Sequence, residues 1–395
     1  MMGVVVRLRR AGCAAVALGI LGGASALPAQ AAVVGAKPVP SYQTNGRVNA
    51  ILFLNGTVYL GGKFTSVRPA GSPAGTGEVA RNHLAAFDAA TGQLIQSWNP
   101  GASGAVFALA SSGNTIYVGG SFAKLGTSTR SRIGAVDATT GAVVSGFKPK
   151  LDAAVNSLAV GGGVVYAGGA FTTANGVARA SLAAFDASTG ALSTTWAPAA
   201  GGNSSTTPTV TTVRLAPGGG LVYVGGGFTT INGASQSHIA ALSPATGAPS
   251  PTFTHHLPYG VVDLAVDTTG VFVAGAGGGG NFADLNPSTG ASVWQGGTNG
   301  NVQAIAVLDG EVYVGGHYTS YCGPQGGQHT CTNPVQRLKL LAVAEGSGAL
   351  TSWNPHANSA LGIFALAGSG TQIATGGDFT KIGGVAQQGY AQFTE

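Results

Sequence analysis

The chain has 395 residues, 18 of them Lys or Arg and 13 Asp or Glu, so that only 8% are charged. Sparse charge without a lysine or arginine run excludes the electrostatic footprint of a nucleic-acid binder. Beyond the first residues no apolar run is long enough for a membrane helix, so no membrane span is expected.

Residues 1–31 read as a secretory signal peptide. Arg7, Arg9 and Arg10 form a basic start, an apolar stretch runs from Ala11 to Leu21, and Ala29-Gln30-Ala31 has the small-x-small form of a cleavage site. A twin-arginine reading of Arg9-Arg10 fits the residues after the pair weakly, and Cys13 lacks the preceding apolar residue of a lipid-attachment site. Removing the leader takes away three arginines and no acid, so the formal net charge falls from +5 to about +2. A secreted protein, extracellular or associated with the cell surface, is the expectation.

From residue 32 to 395 a single domain of repeats is expected. A strand ending in paired glycine recurs as Val58–Phe64 (VYLGGKF), Ile116–Phe122 (IYVGGSF), Val165–Phe171 (VYAGGAF) and Val222–Phe228 (VYVGGGF). It continues as Val271–Gly277 (VFVAGAG), Val312–Tyr318 (VYVGGHY) and Gln372–Phe379 (QIATGGDF), about 40 to 60 residues apart throughout. The third repeat is the cleanest: strands at Ala154–Val160, Val164–Phe171, Ser181–Asp186 and Ala191–Pro198, with a polar loop Thr172–Ala180. Four antiparallel strands per repeat make a β-propeller blade. The fold class is therefore all-β, a seven-bladed β-propeller of four-stranded antiparallel blades, with repeats at 48–100, 104–149, 154–198, 209–258, 260–297, 301–355 and 361–395. The seventh stops one strand short. Lys37–Tyr42, within 37–47, is expected to supply the missing strand, hide an open edge and close the ring.

The glycine pair predicts close backbone approach between sheets. The turn Asp88-x-x-Thr-Gly92 recurs at Asp137–Gly141 and Asp186–Gly190, where the carboxylate accepts backbone N–H groups and glycine supplies a positive φ. Trp98, Phe147, Trp196 and Phe253 each follow a turn by a fixed interval, with Trp294 and Trp353 slightly earlier, which predicts packing between blades. Cys322 and Cys331 flank a short loop, and in an oxidising compartment their pairing contributes roughly 2–3 kcal/mol.

These residues resemble a kelch-type blade. The fuller pattern of Gly-Gly-x-Phe-Thr, loop, Arg, Leu-Ala, Asp-x-x-Thr-Gly and Trp-x-Pro is closer to the delta-60 type repeats of secreted bacterial propellers and is similar to fungal cortical polarity-marker propellers. The resemblance covers nearly the whole chain after the leader and implies the fold, with function by binding. The Asp-x-x-Thr-Gly turn is also similar to the docking motif of quinoprotein propellers. There, however, Trp follows the glycine by four residues, as only Trp294 follows Gly290 here, and the adjacent-cysteine and acidic calcium signatures are missing.

The face that carries the loops between second and third strands is where a ligand is expected. It collects the loops 65–82 and 319–336 and the links with Asp152, His255-His256 and His356. The position after the glycine pair holds Lys63, Ser121, Ala170, Gly227, Ala276, His317 and Asp378. Lys63, His317 and Asp378 fall on neighbouring repeats, and with Tyr321 and Arg337 they either line a polar pocket or vary freely in solvent. Arg81, Arg130, Arg179 and Arg337 precede the third strand at equivalent places. They can bond loop carbonyls or read an anionic glycan, and their periodicity favours the structural role. Asp263 stands among small inner-strand counterparts, either hydrogen-bonded or holding water or a cation.

The catalytic inventory is thin. No Gly-x-Ser-x-Gly elbow or His-Glu-x-x-His pair is present, and a copper-radical site would need Cys322, which the disulfide consumes. No cofactor is expected. The reading is a monomeric secreted binding or scaffold propeller that recognises an extracellular glycan or cell-surface protein through Lys63, Arg81, His317, Tyr321, Arg337 and Asp378. The alternative is a metal-assisted extracellular hydrolase or lyase using Glu78, His317 and His356.

Overall fold

Valine-rich segments with β-branched and aromatic neighbours become the innermost strand of every repeat: Val48–Leu54, Val106–Ser112, Val155–Gly161, Val210–Leu215, Gly260–Val266, Val302–Leu308 and Ile363–Ser369. The computed structural model describes residues 34–202, 208–324 and 331–395. The expected leader, 1–31, and most of the loop between Cys322 and Cys331 lie outside the described residues. Each innermost strand pairs antiparallel with the strand that carries the glycine pair, and that strand pairs with a third. Innermost strands of successive repeats neighbour one another, and the strand at Ile363–Ser369 also packs on Val48–Leu54.

The glycine pair performs two separate tasks. A Cβ on the first glycine would strike the β-branched residue that opens the next repeat: Gly61 at 2.5 Å from Val106, Gly168 at 2.5 Å from Val210, Gly225 at 2.5 Å from Val261 and Gly315 at 2.6 Å from Ile363. The contact recurs between the last repeat and the first, with Gly376 at 2.7 Å from Val48. A Cβ on the second glycine would instead strike the carbonyl just before its own innermost strand, Arg47 O for Gly62 and Ala154 O for Gly169, both at 2.2 Å. That carbonyl is in reach because the innermost strand bulges at its second residue, between Val48 and Ala50 in the first repeat and between Val155 and Ser157 in the third.

Aromatic residues bind the repeats together from outside. Tyr59 meets Trp98 edge-on at 5.0 Å, Tyr166 meets Trp196 at 5.0 Å and Tyr313 meets Trp353 at 5.0 Å. The polar tips then cross to the following repeat, Trp98 Nε1 donating to Asp137 O at 3.2 Å and Tyr59 OH to Ala138 O at 2.8 Å. In the turns, Asp88, Asp137 and Asp186 accept N–H groups two and three residues on, while Gly92, Gly141 and Gly190 have φ near +70°.

The fourth strand is where expectation and structure differ. The segment expected at Ala191–Pro198 touches its sheet through one bridge, Phe185 to Leu192, and four other repeats do the same. The cause is the aromatic that follows: Trp196 Nε1 donates to Ser243 O of the next repeat at 3.1 Å and draws the chain away from its own sheet. Repeat five keeps a full fourth strand, Ser292–Thr298, which continues into Ser320–Gly323 and Val335–Gln336 of repeat six. On the last repeat the equivalent bridge joins Val39 to Gln392, and Gly35 N donates to Thr394 O at 2.8 Å.

Gly168→Ala is expected to destabilise the fold by about 1–3 kcal/mol through overpacking against Val210 and Val213. Adding Val210→Ala recovers part of that loss, and Gly220→Ala, whose Cβ meets nothing within 4 Å, is close to neutral. Denaturant melts of the parent, Gly168→Ala, Val210→Ala, the double variant and Gly220→Ala decide it. Additive losses at Gly168 and Val210 would refute the contact.

Candidate functional site

A cavity of about 710 Å³ runs between the innermost strands and is lined by residues from all of them. The bulge turns the residue after the leading valine or isoleucine of each strand into it: Asn49, Phe107, Asn156, Thr211, Val262, Gln303 and Phe364 all line its wall. Three of them also fasten neighbouring repeats. Asn49 Nδ2 donates to Val106 O at 3.0 Å, Asn156 Nδ2 to Val210 O at 3.1 Å and Thr211 Oγ1 to Val261 O at 2.6 Å. In the sequence this ring leaves only a weak trace, a valine or isoleucine followed two residues on by a mostly small residue at the start of each innermost strand.

Two arginines reach the cavity, and their situations differ. Arg214 Nη2 meets Asp263 Oδ1 at 2.6 Å, and its Nη1 donates to Ser157 Oγ at 3.1 Å. Asp263 also accepts Leu264 N at 2.9 Å and Ile305 N at 3.3 Å. Burial pushes its carboxyl up while Arg214 pulls it down. Asp263 is thus the hydrogen-bonded partner of an arginine, not a lone carboxylate. Arg47 has no such partner. Its guanidinium lies 4.1 Å over the Phe364 ring, its Nε is buried without a hydrogen bond, and no carboxylate is within ion-pair distance among the described residues. Burial lowers its pKa, and the more distant charge of Asp378 opposes that shift.

The structure separates the six expected ligand residues. Arg81 and Arg337 are spent on the scaffold: Arg81 Nη2 donates to Gln96 O at 2.9 Å and Arg337 Nη2 to Thr351 O at 3.0 Å. Arg130 and Arg179 clamp Val144 O and Ser193 O in the same way. Tyr321 is buried beside Phe282, ring centroids 6.3 Å apart. Asp378 accepts the Ser359 hydroxyl and Leu361 N, the latter at 3.1 Å, and so fixes the link into the last repeat. Lys63 and His317 remain exposed. Cys322 and Cys331 are joined, with Cα atoms 4.8 Å apart.

Other candidates are also accounted for. Asp152 brackets Thr172 N and Thr173 N at 2.9 and 3.1 Å, as Asn45, Asn299 and Asn358 bracket equivalent amides. Burial raises the Asp152 carboxyl, but these bonds and the Thr172 hydroxyl bring it down to about 2. Glu78 accepts the Ser66 hydroxyl and Gly75 N, which hold it below the usual carboxylate range. His356 borders a second cavity of about 590 Å³ with Lys37, Lys381 and Asn354. Among the described residues no three His, Cys, Asp or Glu side chains form a group that could hold a metal ion, so Glu78, His317 and His356 are not gathered into one.

The two ends of the sheets differ in charge. Connections between second and third strands carry ten Lys and Arg against Glu78 and Asp378. The turns at the opposite end carry Asp88, Asp137, Asp186, Asp267, Asp309 and Glu345 and no Lys or Arg. At the loop end the residue before each third strand has positive φ: His83 (φ 67°), Arg132 (72°), Ser181 (66°), His238 (69°), Gly279 (96°), Lys339 (72°) and Gly389 (72°). Only two of the seven are the glycine that this conformation favours.

No protein-family model matches the chain, and no curated protein matches it in sequence. In structure it is similar to the WD40 repeats of RRP9, with 12% identity and a TM-score of 0.60 over 92% of this chain and 99% of that one. U3-55K gives 12% identity and a TM-score of 0.59 over 90% and 100%. The WD40 β-propeller domain of Doa1 gives 12% and 0.50 over 91% and 97%. At such identity the likeness shows the fold alone: the chain is a β-propeller.

One carboxyl is displaced far enough to test. Asp284, on the third strand of repeat five, is buried, and its Oδ1 has no hydrogen-bond partner. Burial pushes it up to about 7, with Asp267 and Glu345 adding to the shift. The folded state therefore favours the protonated form. The resulting stabilisation is complete below about pH 4, the unfolded value, and is lost as pH rises through about 7. Asp284→Asn is expected to melt a few degrees above the parent at pH 8 and level with it at pH 4. Equal melting at both values would mean that Asp284 is ionised without cost.

Proposed function

We propose that this chain is an exported binding propeller of seven blades, its ring closed by the N-terminal segment through Val39 and Gln392, and that its loop face recognises an extracellular glycan or cell-surface protein. The observation that carries this reading is the charge division between the two ends. Acids crowd the turns, where they bond their own backbone, while the loop end keeps exposed cations such as Lys63, Lys124 and Lys381. A rigid scaffold with its uncommitted charge on one face suits recognition. The propeller fold, the absence of a membrane-crossing helix among the described residues and the Cys322–Cys331 disulfide are compatible with an exported protein.

The face is tested by charge reversal. Binding to cell-envelope polysaccharides and surface proteins is measured for the parent, for Lys63→Glu with His317→Glu, and for Ala90→Lys in an opposite turn. The loop variant is expected to bind about tenfold or more weakly and the turn variant like the parent. Loss in the turn variant alone, or no binding by the parent, would defeat the proposal.

A further inference from the structure

The most informative feature the loop-face reading leaves unused is the difference between the two cavity arginines. A guanidinium taken out of water is costly unless paired and fully bonded. Arg214 meets that requirement through Asp263 and Ser157. Arg47 sits at the strand entry that opens into the same cavity, with a ring beneath it, a buried Nε without a partner and no carboxylate in ion-pair reach among the described residues. Its backbone is fixed, since Lys63 N donates to Arg47 O at 2.8 Å and Gly62 leaves room for that carbonyl. Stacking on Phe364 holds one face of the guanidinium and leaves its edge for a planar anion.

The rest of the wall adds a second requirement. Asn49 and Asn156 donate their amide hydrogens to neighbouring strands, and neither carboxamide oxygen accepts a hydrogen bond among the described residues. Both residues line the cavity, so they present acceptors for hydroxyl groups. Phe107 from the next bulge adds an apolar face. The volume of about 710 Å³ falls in the range of small-molecule sites, roughly 300–1,000 Å³.

We propose that the loop-side end of the axial cavity binds a carboxylate-bearing saccharide, a uronate, with Arg47 pairing the carboxylate and the Asn49 and Asn156 carboxamide oxygens accepting sugar hydroxyls. This rests on the loop-face reading and narrows it to one ligand class and one entrance. A carboxylate matches the guanidinium edge with two parallel hydrogen bonds, an arrangement that a neutral sugar cannot make.

The experiment is calorimetric titration of the full chain with an oligogalacturonate and with its methyl ester, which keeps every hydroxyl and loses the charge. The acid is expected to bind, and the ester about tenfold or more weakly. Arg47→Gln removes the discrimination, so that acid and ester bind alike. Asn49→Ala with Asn156→Ala weakens both and preserves their ratio. Melting of Arg47→Gln at or above the parent shows that the change acts on binding and not on folding. Equal binding of acid and ester by the parent, or discrimination that survives Arg47→Gln, overturns the inference. Displacement of the acid by an equal concentration of inorganic phosphate overturns it too, because the site would then take any anion. Neutral glycans that bind in a Lys63- and His317-dependent manner, without preference for the acid, would leave the loop face standing and remove the uronate site.

Discussion

The absence of two adjacent Cβ atoms sets the geometry of six of the seven repeats, and repeat five keeps only the second glycine, Gly275, beside Ala274. The first glycine of each pair lets a β-branched side chain of the following repeat press onto the strand, and the second makes room for a carbonyl displaced by a bulge. One is a contact between repeats and the other a distortion within one. They occur together because the valine that presses on its neighbour is the residue from which the bulge begins, as Val106 does against Gly61. A repeat that fits its neighbour through this device must turn its second inner residue toward the axis. The cavity wall is thus a by-product of how the repeats pack.

The scaffold's polar groups are mostly committed locally. Arg81, Arg130, Arg179 and Arg337 give their Nη2 hydrogens to carbonyls on the segment that would otherwise be a fourth strand, and so compensate for a ladder reduced to one bridge. Turn carboxylates satisfy their own amides, and Asp152, Asn45, Asn299 and Asn358 do the same at the links. Against that background, Arg47 over Phe364 and the exposed Lys63 are conspicuous because the fold makes little use of their charge.

Recurring features could be read from the sequence. Glycine pairs, Asp-x-x-Thr-Gly turns, the following aromatics and the arginine ahead of four third strands recur, and repetition ties them to packing. The fourth strand was over-read, because apolar residues such as Leu192 and Trp196 suit a strand, while only the structure shows that the indole belongs to the next repeat. Tyr321 looked like a loop residue because it follows a loop-face motif, yet it fills the gap beside Phe282 that repeat five leaves by having almost no loop. Asp263 looked solitary because its partner, Arg214, departs from the small counterparts of a different layer and a different repeat. A pair formed by two independent departures leaves no periodic trace.

The bulge positions show how a repeated scaffold can carry an asymmetric site. If these residues served only to fasten neighbouring repeats, each would be a donor such as Asn49, Asn156 or Thr211, whose hydrogens reach the next innermost strand. Phe107, Val262 and Phe364 have no side-chain donor; the seams of Phe107 and Phe364 keep the glycine–valine contacts Gly119–Val155 and Gly376–Val48, and at that of Val262 Ala274 stands in the first glycine's place. The fastening is therefore dispensable at those seams, and what occupies them is free to answer to something else. Aromatic rings stand at the second and seventh repeats, carboxamides at the first, third and sixth, and one unpaired guanidinium lies beside the seventh. Packing alone would accept a uniform ring. The mixture of acceptors, ring faces and a single positive charge has the asymmetry of a ligand that is polar, partly apolar and charged at one end.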